Sequence, residues 1–173
     1  MSVRCHDLNL YETDAEYVDL VGTLVAEGLV KGETCIVIAT KSHRDTLSRR
    51  LRKMGLTGRH ARGCMMLDAA RTLSRFAVNG MPERVRFNRV VRGIFRAAQA
   101  RGRRPLRVFG EMVALLAETE GPEAALRLER LWNGVLARRS FSLTCSYPIA
   151  AFRGFMHRRA LHAVCAEHGA ICA

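Results

Sequence analysis

The sequence has no Cys-x-x-Cys pair, no glycine-rich phosphate loop, and no apolar run near the roughly 18–20 residues that cross a bilayer. The six cysteines, Cys5, Cys35, Cys64, Cys145, Cys165 and Cys172, are scattered, which excludes a zinc-knuckle pattern and leaves buried reduced thiols as the expected state. Lysine is scarce: among 28 basic residues only Lys31, Lys41 and Lys53 are not arginine. The start, Met1-Ser-Val-Arg4, runs at once into polar His6 and Asp7, so no secretory apolar segment is read there and a cytoplasmic location is expected. With 173 residues, 49% apolar and 25% charged, the chain can bury one core, and 1–173 reads as a single domain rather than a disordered segment.

The formal charge of +12 raises nucleic acid as a partner. The arginines, however, are spread along the chain. Over Glu83–Arg101, Phe87, Val91, Ile94, Phe95 and Ala98 recur at helical spacing, and Arg86, Arg89, Arg92 and Arg96 fall on the other faces. No helix-turn-helix, zinc finger or ribonucleoprotein aromatic motif is present. The charge reads as a solvated surface, with nucleic-acid binding at most weak and non-specific.

Short apolar segments alternate with amphipathic stretches. Leu8–Tyr11 reads as a strand. Thr13-Asp-Ala-Glu16 has the form of a capping box, opening a helix that carries Tyr17, Leu20, Val21, Leu24, Val25 and Leu29. Thr34–Thr40 is a β-branched run without alternation, as in a parallel strand buried on both faces. Ser42 is expected to cap the next helix, and Gly55 to follow its end. Cys64–Leu67 is a third strand, and Asp68 opens a helix stopping at Gly80. Pro105–Phe109 is a fourth strand, Pro122 opens a helix to Leu136, Phe141–Cys145 is a fifth strand, and a last helix passes through Leu161, Val164 and Cys165. The expectation is an α/β fold with three layers and a mainly parallel, five-stranded sheet.

Ligands of an open parallel sheet sit beyond the carboxyl ends of its strands. Glu12, Thr40, Lys41, Asp68, Glu111 and Tyr147 are expected on that rim, with Glu111 and Tyr147 outside the core. Glu111 is either a binding or acid/base carboxylate or an acid placed on a helix N-terminus. Glu129 and Asn133, an i, i+4 pair beside Trp132, form either a structural contact or part of a site. His162, Cys165 and His168 follow at steps of three, with His6 or Cys172 as a further donor. That spacing drifts around a helix, so no metal is expected there.

Several segments, taken in order, resemble one family: His6 with Tyr11-Glu12; Glu27-Gly-Leu29 and Gly32-Glu33; Phe109-Gly-Glu-Met-Val113; Leu128-Glu129 with Trp132-Asn133; Cys145 with Tyr147-Pro148; and Cys165-x-x-His168. The chain resembles the MEDS domain, a sensory domain named for methanogens, methylotrophs and the regulator DcmR. That family is in turn similar to the RecA/KaiC-like ATPase core. Val108-Phe109 stands where the Walker B strand would run, and the acidic segment Glu12–Asp14 stands where Walker A would be. The resemblance implies a degenerate P-loop NTPase-like sheet that has lost nucleotide binding. It implies a non-enzymatic sensory or signal-transduction domain, without a cofactor, responding to a small organic ligand or a partner. Glu12, Thr40, Glu111 and Tyr147 would bind the ligand, supported by His6, Tyr11, Glu129, Trp132, Asn133 and Cys145. A histidine kinase or transcription regulator is the implied partner, and a homodimer is compatible with it. The alternatives are a basic nucleic-acid-associated regulator and a degenerate NTPase-like enzyme.

Overall fold

A computed structural model describes residues 4–102, 104–152 and 155–172, without the side chains of 155–158 and 170–172. The chain opens with β1 (Cys5–Tyr11), three residues earlier than the expected start at Leu8, because β1 pairs in register with a later strand from its first residue. A two-residue turn leads into α1 (Asp14–Val30). Thr13 caps it, its hydroxyl accepting from the Glu16 amide at 3.2 Å, and the Glu16 carboxylate accepts from the Glu12 amide at 2.9 Å. The return arm of this capping box thus reaches one residue further back than the usual form.

All six residues of β2 (Thr34–Ala39) are buried, as a two-faced strand requires. Thr40, not Ser42, caps α2 (Lys41–Lys53), because the chain turns into the helix directly at the strand end. A short α3 (Arg59–Arg62) precedes β3 (Cys64–Asp68), and the Asp68 carboxylate caps α4 (Ala69–Ser74). The helix expected to continue to Gly80 ends at Ser74. Asn79 and Gly80, with φ of 49° and 77°, instead form the tight turn of a hairpin, β4 (Ala77–Val78) and β5 (Met81–Pro82). Asn-Gly is the dipeptide such turns favour, because both positions need the left-handed region.

The chain continues with α5 (Arg84–Gln99), β6 (Leu106–Gly110), α6 (Met112–Thr119) and α7 (Pro122–Leu136), the last with its proline in the first turn. Then come β7 (Ser142–Pro148), a 3-10 turn at Ile149–Phe152, α8 (Phe155–Ala166) and β8 (Ala170–Cys172). The main sheet has the order β3-β2-β6-β7-β1-β8, and every pairing is parallel. The five expected strands are all present, and β8 adds a three-residue edge strand beside β1. The result is a three-layer α/β fold of the Rossmann/RecA type.

Strand alternation divides the core in two. Leu8, Ile36, Ile38, Val108, Leu143, Cys145 and Tyr147 face one layer, with α4 to α8. Tyr11, Cys35, Val37, Ala39 and Phe109 face the other, with α1 and α2. Trp132 is fully enclosed, edge-on to Phe87 at 5.1 Å between ring centroids. Among the described residues no helix is long and apolar enough to cross a membrane.

Candidate functional site

The carboxyl ends of β1, β2 and β6 bring together a buried polar group on the α1/α2 face. Glu111 follows β6, and its amide donates to Ile38 O at 3.0 Å, which fixes it against β2. Glu111 is 2% exposed. One carboxylate oxygen accepts from the Thr40 amide at 2.8 Å, and the other accepts from His43 Nδ1 at 2.5 Å. His43, in the first turn of α2, directs Nε2 to the exposed Asp14 carboxylate in the first turn of α1, 3.2 Å away. The Tyr17 ring stacks on His43 at 4.1 Å, and Tyr11 packs edge-on against Tyr17 at 5.2 Å. Burial works against protonation of His43, yet the Glu111 and Asp14 carboxylates beside it raise its pKa overall. Burial, followed by the charge of Glu111, raises the hydroxyls of both Tyr11 and Tyr17. Both tyrosines are therefore neutral, and the buried Tyr17 hydroxyl is left without a hydrogen-bond partner.

The rim expected from sequence divides here. Thr40 and Glu111 are in contact, and Tyr11 joins them. Glu12 is exposed and faces solvent at the turn. Asp68 is engaged by Arg44 at 2.5 Å and by the α4 amide it caps, further along the edge. Glu111 and Tyr147 belong to the core rather than lying outside it, at 2% and 0% exposure. For Tyr147 the reason is that β7 runs on to Pro148, so the residue stays within the sheet and its parity sends the ring to the opposite layer. Sequence reasoning missed His43 and Tyr17. The available signal was position: a first-turn helical residue directly after a buried strand points back at the strand ends.

On that opposite layer lies a second buried polar group. The Tyr147 hydroxyl donates to Glu129 Oε1 at 2.8 Å. Glu129, on α7, is fully buried, with His6 Nε2 at 3.2 Å from Oε2 and His168 Nε2 at 3.5 Å from Oε1. His6 Nε2 is also 3.4 Å from Cys145 Sγ. Burial opposes ionisation of Glu129, but the two imidazoles more than offset it and hold the carboxyl down to about 2. Burial, reinforced by the Glu129 charge, raises the Cys145 thiol and the Tyr147 hydroxyl well above their ordinary ranges. Asn133, one turn after Glu129, accepts at Oδ1 from His6 Nδ1 at 2.7 Å and donates to Glu167. The i, i+4 pair on α7 thus helps build this group, while Trp132 packs on Phe87 and Phe141 in the core of the same layer. Among the described residues, His6, Glu129, Cys145 and His168 offer metal-ligand atoms that lie within 4.8 Å of one another. His162 is exposed and Cys165 lies outside that set, so the triplet read along the last helix does not converge; the Cys172 side chain lies outside the described residues.

The family model for the MEthanogen/methylotroph, DcmR Sensory domain, MEDS, matches residues 5–165. The chain belongs to the MEDS family. MEDS domains form a family of sensory domains, and the match spans both polar groups except for Glu167 and His168. Neither curated proteins nor solved structures give a match to the chain.

Proposed function

We propose that this MEDS domain is a non-catalytic sensory module that binds a small organic ligand at the carboxyl edge of the sheet and passes the signal to a partner protein. The observation that carries this reading is the Glu111–His43–Asp14 line. It runs from a buried carboxylate, through an imidazole stacked on Tyr17, to an exposed carboxylate. Buried charge at the strand ends of an open sheet marks ligand sites. A hydroxyl or carbonyl group of a ligand would replace Asp14 at His43 Nε2, while Tyr11 and Tyr17 supply apolar ring surface. Asp14 and His43 begin different helices, so that exchange alters how α1 and α2 meet. The ligand shifts the population through its unequal affinity for the two arrangements.

A nucleotide fits this edge poorly. The β1–α1 turn is two residues long, without glycine, and Glu12, Asp14 and Glu16 surround the helix start where phosphate would need amides and a lysine. The output surface is a groove of ≈ 550 Å³ between α5 and α7, walled by Arg84, Arg92, Arg130, Arg138 and Arg139 with Phe95 and Leu131 beneath. Its charge suits an acidic face of a histidine kinase or transcription regulator, and accounts for any weak nucleic-acid binding.

The test is a thermal-shift panel of short-chain alcohols, amides and carboxylic acids on the wild type and on His43→Gln. A compound that raises the wild-type melting temperature and leaves His43→Gln unmoved supports the reading. Equal shifts in both proteins refute it.

A further inference from the structure

We propose that His6, Glu129, Cys145 and His168 bind one divalent metal ion of the Zn²⁺ class. The site lies on the sheet layer opposite Glu111 and does not depend on the carboxyl-edge reading.

The four residues come from β1, α7, β7 and the turn after α8, so only the completed fold assembles them. Two imidazole nitrogens, a sulfur and a carboxylate oxygen make a donor set that suits a borderline divalent ion. Metal–ligand bonds of about 2.0–2.3 Å in a tetrahedron place neighbouring donors roughly 3.3–3.7 Å apart. His6 Nε2 lies 3.2 Å from Glu129 Oε2 and 3.4 Å from Cys145 Sγ, His168 Nε2 lies 3.5 Å from the other carboxylate oxygen, Oε1, and one donor atom from each of the four residues falls within 4.8 Å of the rest.

The surrounding groups fix the tautomers a metal needs. His6 Nδ1 faces Asn133 Oδ1 at 2.7 Å, and His168 Nδ1 faces the Val164 carbonyl at 2.6 Å. Both partners are acceptors, so each Nδ1 carries a hydrogen, which leaves Nε2 of each ring as the nitrogen that can give its lone pair to a metal. The orientation of Asn133 is itself set, because its Nδ2 donates to the Glu167 carbonyl and carboxylate at 3.0 Å each. Tyr147 holds Glu129 Oε1 in the same supporting manner.

Two atoms at the centre lack a hydrogen bond of good geometry: Glu129 Oε2, which has His6 Nε2 3.2 Å away but not aligned as a hydrogen bond, and His168 Nε2. Buried polar atoms are almost always satisfied, and a cation between these two would satisfy both. The ion displaces to solvent the Cys145 thiol proton and any proton on the two Nε2 atoms, and thiolate plus carboxylate then balance its two positive charges. A depression of ≈ 530 Å³, lined by His6, Asn133, Glu167 and Gly169, gives access from the surface.

The decisive experiment strips the purified protein with a chelator and titrates it with Co²⁺, then Zn²⁺. The expected result is one equivalent of Co²⁺ with intense tetrahedral visible bands and a thiolate charge-transfer band, both lost as Zn²⁺ displaces it. Cys145→Ser should lose the charge-transfer band. Asn133→Ala, which keeps all four donors, should weaken Zn²⁺ binding roughly 10–100-fold. A wild-type spectrum without thiolate charge transfer overturns the proposal whether or not the variants fold. So does Zn²⁺ affinity unchanged in both variants, which would leave the four groups a buried ion-pair network.

Discussion

Replacing Glu111 by Gln tests whether the carboxyl-edge pair is a true charge partnership. The substitution keeps shape and one acceptor for the Thr40 amide, but sets an amide NH₂ against His43 Nδ1, now 2.5 Å from the carboxylate. When His43 is protonated, two donors face each other and a charge-assisted hydrogen bond is lost, about 1.5–3 kcal/mol. When His43 is neutral, Nδ1 accepts from the new amide, Nε2–H still faces Asp14, and the loss falls to about 1 kcal/mol or less, the size of a neutral hydrogen bond. The pKa of His43 is raised in the folded protein despite burial, by Glu111 and then Asp14. Stability from its protonated form is therefore complete below the unfolded-state value of about 6.5. It fades as the pH rises through the higher folded-state value. Tyr11, Tyr17 and Thr40 are the other groups around the pair, and the tyrosines stay neutral over this range. The contribution of His168 is common to both proteins and cancels in the difference. Thermal unfolding of wild type and Glu111→Gln should differ by about 3–12 °C near pH 6, from about 2–4 °C per kcal/mol for a domain of this size. The gap should narrow near pH 9. A gap that is constant with pH, or wider at pH 9, refutes the coupling.

Three further outcomes follow from the packing. Trp132→Ala, which empties a fully buried site against Phe87 and Phe141, should cost about 3–5 kcal/mol by urea unfolding, whereas Val85→Ala, at an exposed position, should stay within about 0.5 kcal/mol. Gly80→Ala should cost about 1–2 kcal/mol in the same assay, because φ is +77° and the new methyl group meets the Glu120 side chain. Iodoacetamide near neutral pH should leave Cys35 and Cys145 unlabelled in native protein by mass spectrometry, since burial pushes Cys35 up to about 12 and raises Cys145 well above the ordinary thiol range; rapid labelling of either would show that the core opens.

The parallel sheet was legible because its signals are local. Thr34–Ala39 is uniformly apolar or β-branched, and Thr13, Pro122 and Gly55 punctuate helices through their own backbone chemistry. β1 was read only from Leu8, where its apolar residues begin. Only the packing of His6 against Glu129 makes a polar residue acceptable there. The hairpin at Asn79-Gly80 had a local signal, but Gly80 was read only as the stop of the helix opened by Asp68. The carboxyl-edge site was half legible: Thr40 and Glu111 follow directly from the strand ends, but His43 lies on the next helix, and nothing local shows that it closes onto Glu111. The second polar group was least legible. His6, Glu129, Cys145 and His168 are widely separated in sequence and meet only through the sheet register, which pairs Leu8 with Cys145 and sets their parity. The sequence could only set His168 beside His162 and Cys165 along the last helix, with His6 as a further donor, whereas the fold brings His168 to partners on other elements.

The most direct test of the sensory account is a two-dimensional amide NMR titration with the compound that shifts the wild-type melting temperature most. The account predicts that the largest changes fall on Tyr11, Asp14, Thr40, His43 and Glu111, with smaller ones along α1 and α2. Changes confined to the arginine groove between α5 and α7, or scattered without a focus at the strand ends, would contradict it.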